Sequence, residues 1–158
     1  MPTSFEHTDA HVEARSILSI SPSEEDHISL DALLNGCKKR ESEWIVRAAS
    51  TIQEGLVHLR DNRISVVLSE RDLSAGTWKD VLAELQSMPD PPTLIVTSRL
   101  ADEHLWAEAL NLGAYDVLIK PFDQKEVSRI LSSAWLRTRS RDELGIPAKT
   151  TKVTAAAG

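Results

Sequence analysis

The sequence predicts an α/β fold: a doubly wound, five-stranded parallel sheet with helices on both faces. Two observations predict it. Short apolar runs alternate five times with amphipathic segments within about 125 residues, and the connections between them are only a few residues long. Such short connections leave room for right-handed crossovers and little else, which makes the sheet parallel and 2-1-3-4-5 the leading strand order. The second observation is that three of the apolar runs end in a polar side chain, Glu70, Thr97 and Lys120. Open α/β sheets place their chemistry at the carboxyl ends of the strands.

The elements follow in order. Residues 1–14 are polar without a sustained period and read as a tail; His7, Asp9 and His11 within it are too sparse to define a metal site. Arg15 to Ile20 (RSILSI) reads as the first strand. Ser21-Pro22-Ser23-Glu24 then fits a helix start with Ser21 as N-cap, Pro at the first helical position and Glu at the third. Ile28, Leu30, Leu33 and Leu34 supply an apolar face, and Gly36 marks the stop. Trp44 to Ala49 (WIVRAA) is the second strand. Ser50 or Thr51 caps the next helix, whose Ile52, Leu56 and Leu59 repeat at i, i+4, i+7.

Ser65 to Glu70 (SVVLSE) is a continuous apolar run ending in polar residues, the pattern of a central strand covered on both faces. Arg71 to Gly76 is expected as a loop, and Thr77 as the cap of a third helix that buries Val81, Leu82 and Leu85. Pro89 to Pro92 ends that helix, Thr93 to Thr97 (TLIVT) forms the fourth strand, and a helix from about Leu100 to Leu112 follows, with Leu105, Ala109 and Leu112 turned inward. Gly113 can take the left-handed conformation that closes a helix, and Val117 to Ile119 is the fifth strand. The last helix is expected over Lys125 to Thr138, with Val127, Leu131 and Ala134 inward and residues 139–158 as a second tail. One domain over 15–138, with no output domain beside it, is expected.

Composition narrows the function. A net charge of −6 with no basic cluster argues against nucleic-acid binding. No apolar run approaches membrane-spanning length and no signal pattern opens the chain, so a cytoplasmic protein off the membrane is expected. Cys37 is the single cysteine, which excludes an internal disulfide and fits a reducing compartment. No G-x-S-x-G elbow serves a hydrolase. A flavodoxin-like cofactor binder is a second reading of the same topology, but the first loop is too acidic for a flavin phosphate.

The stretch GAYDVLIKPF at 113–122 brings lysine to a strand end against a proline, where a cis bond can fix its direction. Together with Thr97 ending the fourth strand, it resembles the response-regulator receiver (CheY-like) domains over about Ile17 to Leu136. The resemblance implies a signalling module of the two-component phosphorelay type and not an enzyme, with a kinase or effector as protein partner. It also implies a phosphoryl site in which Thr97, Lys120 and Pro121 match the family's oxygen-holding end. The family's phosphoacceptor is an Asp, and here Glu70 stands in its place; Asp72 is the alternative acceptor if the strand runs two residues further. The family's Mg²⁺-binding acidic pair falls on Ser21 and Pro22, so no cofactor is expected unless a shift lets Glu24, Glu25 or Asp26 supply the pair. Val117 stands where the family has a switching aromatic. The family's partner and dimer face implies an outward Trp106, Leu110 and Ile130 on the fourth and fifth helices, whereas Trp44, Trp78 and Trp135 are expected in the core.

Overall fold

A computed structural model describes residues 15–36, 44–100 and 102–144. The two histidines and the aspartate of the first fourteen residues, Cys37 and the tail beyond 144 lie outside the described residues. In chain order the elements are β1 (Arg15–Ile20), α1 (Glu24–Asn35), β2 (Trp44–Ala49), α2 (Ile52–Asp61), β3 (Val66–Glu70), α3 (Trp78–Gln86), β4 (Thr93–Ser98), α4 (Glu103–Leu112), β5 (Asp116–Ile119) and α5 (Gln124–Leu144). All five strands pair in parallel, in the order β2-β1-β3-β4-β5. Between β3 and α3 the expected loop holds a two-residue antiparallel ladder, Asp72–Leu73 against Gly76–Thr77.

Strand parity sorts the core into two layers. Val67, Leu94, Val96 and Val117 face one side, where they meet Trp78, Val81, Leu82 and Leu85 of α3 and Leu105 and Ala109 of α4. Ile17, Val66, Leu68, Ile95 and Leu118 face the other, under Leu30 of α1 and Val127, Ile130, Leu131, Ala134 and Trp135 of α5. Successive side chains of a strand alternate between faces, so Glu70 follows Leu68, Thr97 follows Ile95 and Lys120 follows Leu118 onto the α1/α5 side. The polar ends of three neighbouring strands are thereby aimed at one corner.

Helix starts show where local chemistry decided a boundary. Thr77 and Asp80 form a reciprocal capping box at α3, Thr51 caps α2 by accepting from the Glu54 amide, and Asp102 caps α4 by accepting from the Leu105 amide. With its cap at Asp102, α4 starts after Leu100, which is left exposed. The cap of α1 is Ser23 and not Ser21; Ser21 Oγ instead accepts from the Ser23 amide at 3.1 Å. Gly113 closes α4 at a φ of 117°, a conformation that penalises any side chain.

Two expected orientations are corrected. Leu112 is exposed, because it is the last residue of α4 and the chain leaves the sheet at Gly113. Ile130 is buried at 3% exposure, since it lies three residues after Val127 and four before Ala134 on the inward stripe of α5. That helix also continues to Leu144, through residues 139–144 that composition had assigned to the tail. At the opposite edge of the sheet Arg15 lies over the rings of Trp44 and Trp135, 5.3 and 4.3 Å from their centroids, and all three aromatic indoles expected in the core are buried.

Candidate functional site

The corner at the carboxyl edge is built from β3, β4, β5 and the first turn of α1. Register sets Glu70 beside Thr97, and one strand further Ser98 beside Ile119, which precedes Lys120. Thr97 Oγ1 donates to Glu70 Oε2 at 3.1 Å, and Lys120 Nζ reaches the same oxygen at 2.5 Å. The three polar strand ends therefore converge as their spacing implied. The Lys120-Pro121 peptide is cis, and the Pro121 ring is exposed.

The fourth member comes from α1. Asp26 Oδ2 accepts from Lys120 Nζ at 2.7 Å and from Ser21 Oγ at 2.7 Å. Because the helix begins after Ser23, Asp26 occupies its third position and shares a face with Leu30, one turn on; both are buried. Glu24 and Glu25, the other two candidates for an acidic pair, are exposed on the first turn. Sequence reasoning did not single out His27. Its ring is buried, with Nδ1 3.0 Å from Ser19 Oγ and Nε2 3.0 Å from the Ser21 carbonyl. Only a donating Nε2–H can bond a carbonyl, so a neutral ring accepts from Ser19 at Nδ1. The signal was present: His27 and Leu34, like Asp26 and Leu30, put a polar residue in phase with apolar ones.

The electrostatics are those of a closed ion pair. Lys120 is shared by two carboxylates, and the side chains of Lys120, Asp26 and Glu70 are 7%, 10% and 16% exposed. Burial is the largest influence on the lysine and lowers its pKa, but hydrogen bonds and charge from Asp26 and Glu70 outweigh it. The net effect holds Lys120 above its ordinary 10.5. Asp72, the alternative acceptor, pairs with its neighbour Arg71 at 3.2 Å and is 69% exposed in the short ladder, beyond the end of β3. A cleft of about 280 Å³ lies alongside, between α3 and α4; its Arg71 and Lys79 are paired with Asp72 and Glu108.

As paired with Lys120, the corner does not fit Mg²⁺. That ion demands near-octahedral oxygens at about 2.0–2.1 Å. Here the two inward carboxylates already share an ammonium, Ser21 and Pro22 add no acid, and no group of three His, Cys, Asp or Glu among the described residues is placed to hold a metal.

On the proposed partner face, Trp106 is 38% and Leu110 47% exposed on α4, with Ile119 of β5 also exposed; Ile130 is in the core. Val117, where the resemblance implies an aromatic, is a wholly buried residue of β5.

Comparison with known proteins agrees with this architecture. The description "Response regulator receiver domain" matches residues 23–132. The Sensory transduction protein LytT of Bacillus subtilis (strain 168) is 23% identical over 108 residues, 68% of this chain and 44% of that protein, so the chain spans less than half of that relative. Among solved structures, the signal receiver domain of an HD domain-containing protein from Pseudomonas fluorescens Pf-5 superposes with a TM-score of 0.72 at 24% identity. The match covers 82% of this chain and 93% of that one. A response regulator receiver domain protein from Clostridium thermocellum gives 0.67 at 23% identity, over 79% and 97%.

Proposed function

Since the chain belongs to the response regulator receiver domain family, we propose that it is a receiver-type module that signals through protein contacts and is not switched by phosphorylation of its third strand. The observation that carries this reading is the Glu70 carboxylate, held through Oε2 by both Thr97 and Lys120. Phosphoryl transfer needs a carboxylate oxygen free to approach phosphorus in line while the leaving oxygen departs opposite it. Glu is longer than Asp by one methylene, which moves the attacking oxygen outward by roughly 1 Å and spoils that alignment. The groups that would hold phosphoryl oxygens, Thr97 and Lys120, are spent on Glu70 itself. The Glu70 carboxylate already takes the contacts with Thr97 and Lys120 that a phosphoryl group would need.

Incubation with acetyl phosphate and Mg²⁺, followed by intact mass measurement, is expected to show no added phosphoryl group. Glu70→Asp alone is expected to remain unmodified, because Ser21 and Pro22 still supply no metal-binding acid and Asp26 stays paired with Lys120. A wild-type protein that gains one phosphoryl group, mapped to Glu70 or Asp72, would falsify the reading.

The partner-binding role is assigned to the α4–β5 side, on the strength of Trp106 and Leu110 standing exposed on α4. Trp106→Ala is expected to weaken self-association or effector binding while changing unfolding free energy by no more than about 1 kcal/mol. A loss of several kcal/mol would make Trp106 a packing residue.

A further inference from the structure

The corner that does not fit Mg²⁺ contains a cation of its own. We propose that Lys120 is the resident cation of this site and that its ammonium, seated between Asp26 and Glu70, is what keeps divalent metal ions out. The inference rests on the receiver-type reading for the identity of the corner, but not on whether that corner is phosphorylated.

Three observations carry it. Asp26 Oδ2 and Glu70 Oε2 both bond one nitrogen, so the ammonium occupies the space a metal would need between them. Each of those oxygens has a second donor already in place, Ser21 Oγ on Asp26 and Thr97 Oγ1 on Glu70, so neither is left to reorient toward an incoming ion. Finally, His27 fixes the β1–α1 turn through Ser19 Oγ and the Ser21 carbonyl, which holds Asp26 against the lysine. A divalent ion could enter only by expelling a buried ammonium from two carboxylates, and among the described residues no third His, Cys, Asp or Glu is placed with them to hold it. Two carboxylates and one ammonium leave a single net negative charge, and the oxygens that remain, two hydroxyls and two carboxylates, are ligands suited to Mg²⁺ or Mn²⁺ once the ammonium is gone.

The test is a Mn²⁺ titration of the full chain, read as water-proton relaxation. Wild-type protein is expected to show no saturable binding that Asp26→Asn removes. Lys120→Met, of similar length and without charge, is expected to bind Mn²⁺ at least about tenfold more tightly than wild type, and Asp26→Asn in the same chain is expected to abolish the gain. Should the methionine variant not fold, Lys120→Gln takes its place. Saturable wild-type binding lost in Asp26→Asn overturns the proposal, as does a Lys120 variant that binds no better than wild type. Acetyl phosphate modification of a protein that excludes Mn²⁺ would sink the unphosphorylated reading and leave this one standing; Mn²⁺ binding without modification would do the reverse.

Discussion

Lys120→Met is expected to lower the unfolding free energy by about 3–5 kcal/mol, the usual cost of removing one partner from a buried ion pair. The substitution leaves Asp26 and Glu70 facing each other as two buried negative charges with only the Ser21 and Thr97 hydroxyls to answer them. Denaturant titration of both proteins measures it. The loss has a pH signature whose sign is fixed. Lys120 is held above its ordinary 10.5 in the folded state, so its stabilisation is complete below that value and is lost as pH rises through the higher folded value. The gap between wild type and variant is therefore expected to be flat from neutral pH up to 10.5 and to narrow above it. A variant as stable as wild type at neutral pH would mean that the carboxylates do not depend on the ammonium.

Ile130→Ala is expected to cost about 2–5 kcal/mol, the range for truncating a buried aliphatic side chain, with the size set by how far the cavity collapses. Its 3% exposure and its neighbours Val127, Leu131 and Ala134 place it in the layer between α5 and the sheet. Partner binding is expected to change no more than stability dictates. The contrast with Trp106→Ala, nearly neutral for the fold, separates the two residues that the family's partner face had grouped together. An Ile130→Ala protein of unchanged stability would return Ile130 to the surface.

Ile130 also marks how far the sequence could be read. Every strand of the sheet was legible to within a residue, because buried parallel strands are apolar runs bounded by turns, and their order followed from the short crossovers. The convergence of Glu70, Thr97 and Lys120 was legible from strand parity as well. What parity could not supply was the phase of the helices. Glu24, Glu25 and Asp26 stood together as candidate acids at the start of α1, and only the inward phase of the helix separates Asp26 from the other two. Asp26 lies four residues before the buried Leu30, and an acid at that spacing from an inward leucine was the available sign. For Ile130 the stripe Val127, Leu131, Ala134 already contained the answer at i+3, and family placement overrode it. The extension of α5 to Leu144 had no such signal: residues 139–143 are polar, and the helix continues where composition read tail.

The central claim is that Lys120, closed between Asp26 and Glu70, forms a corner that acetyl phosphate and Mg²⁺ do not alter. Its most direct test is the ¹H–¹⁵N spectrum of the full chain before and after both are added, followed at the Thr97 and Lys120 amides and at the Lys120 ammonium. The account predicts that all three signals stay where they are. Displacement of the Thr97 and Lys120 signals together, with loss of the ammonium resonance, would show the pair opening around a bound phosphoryl group and would contradict it.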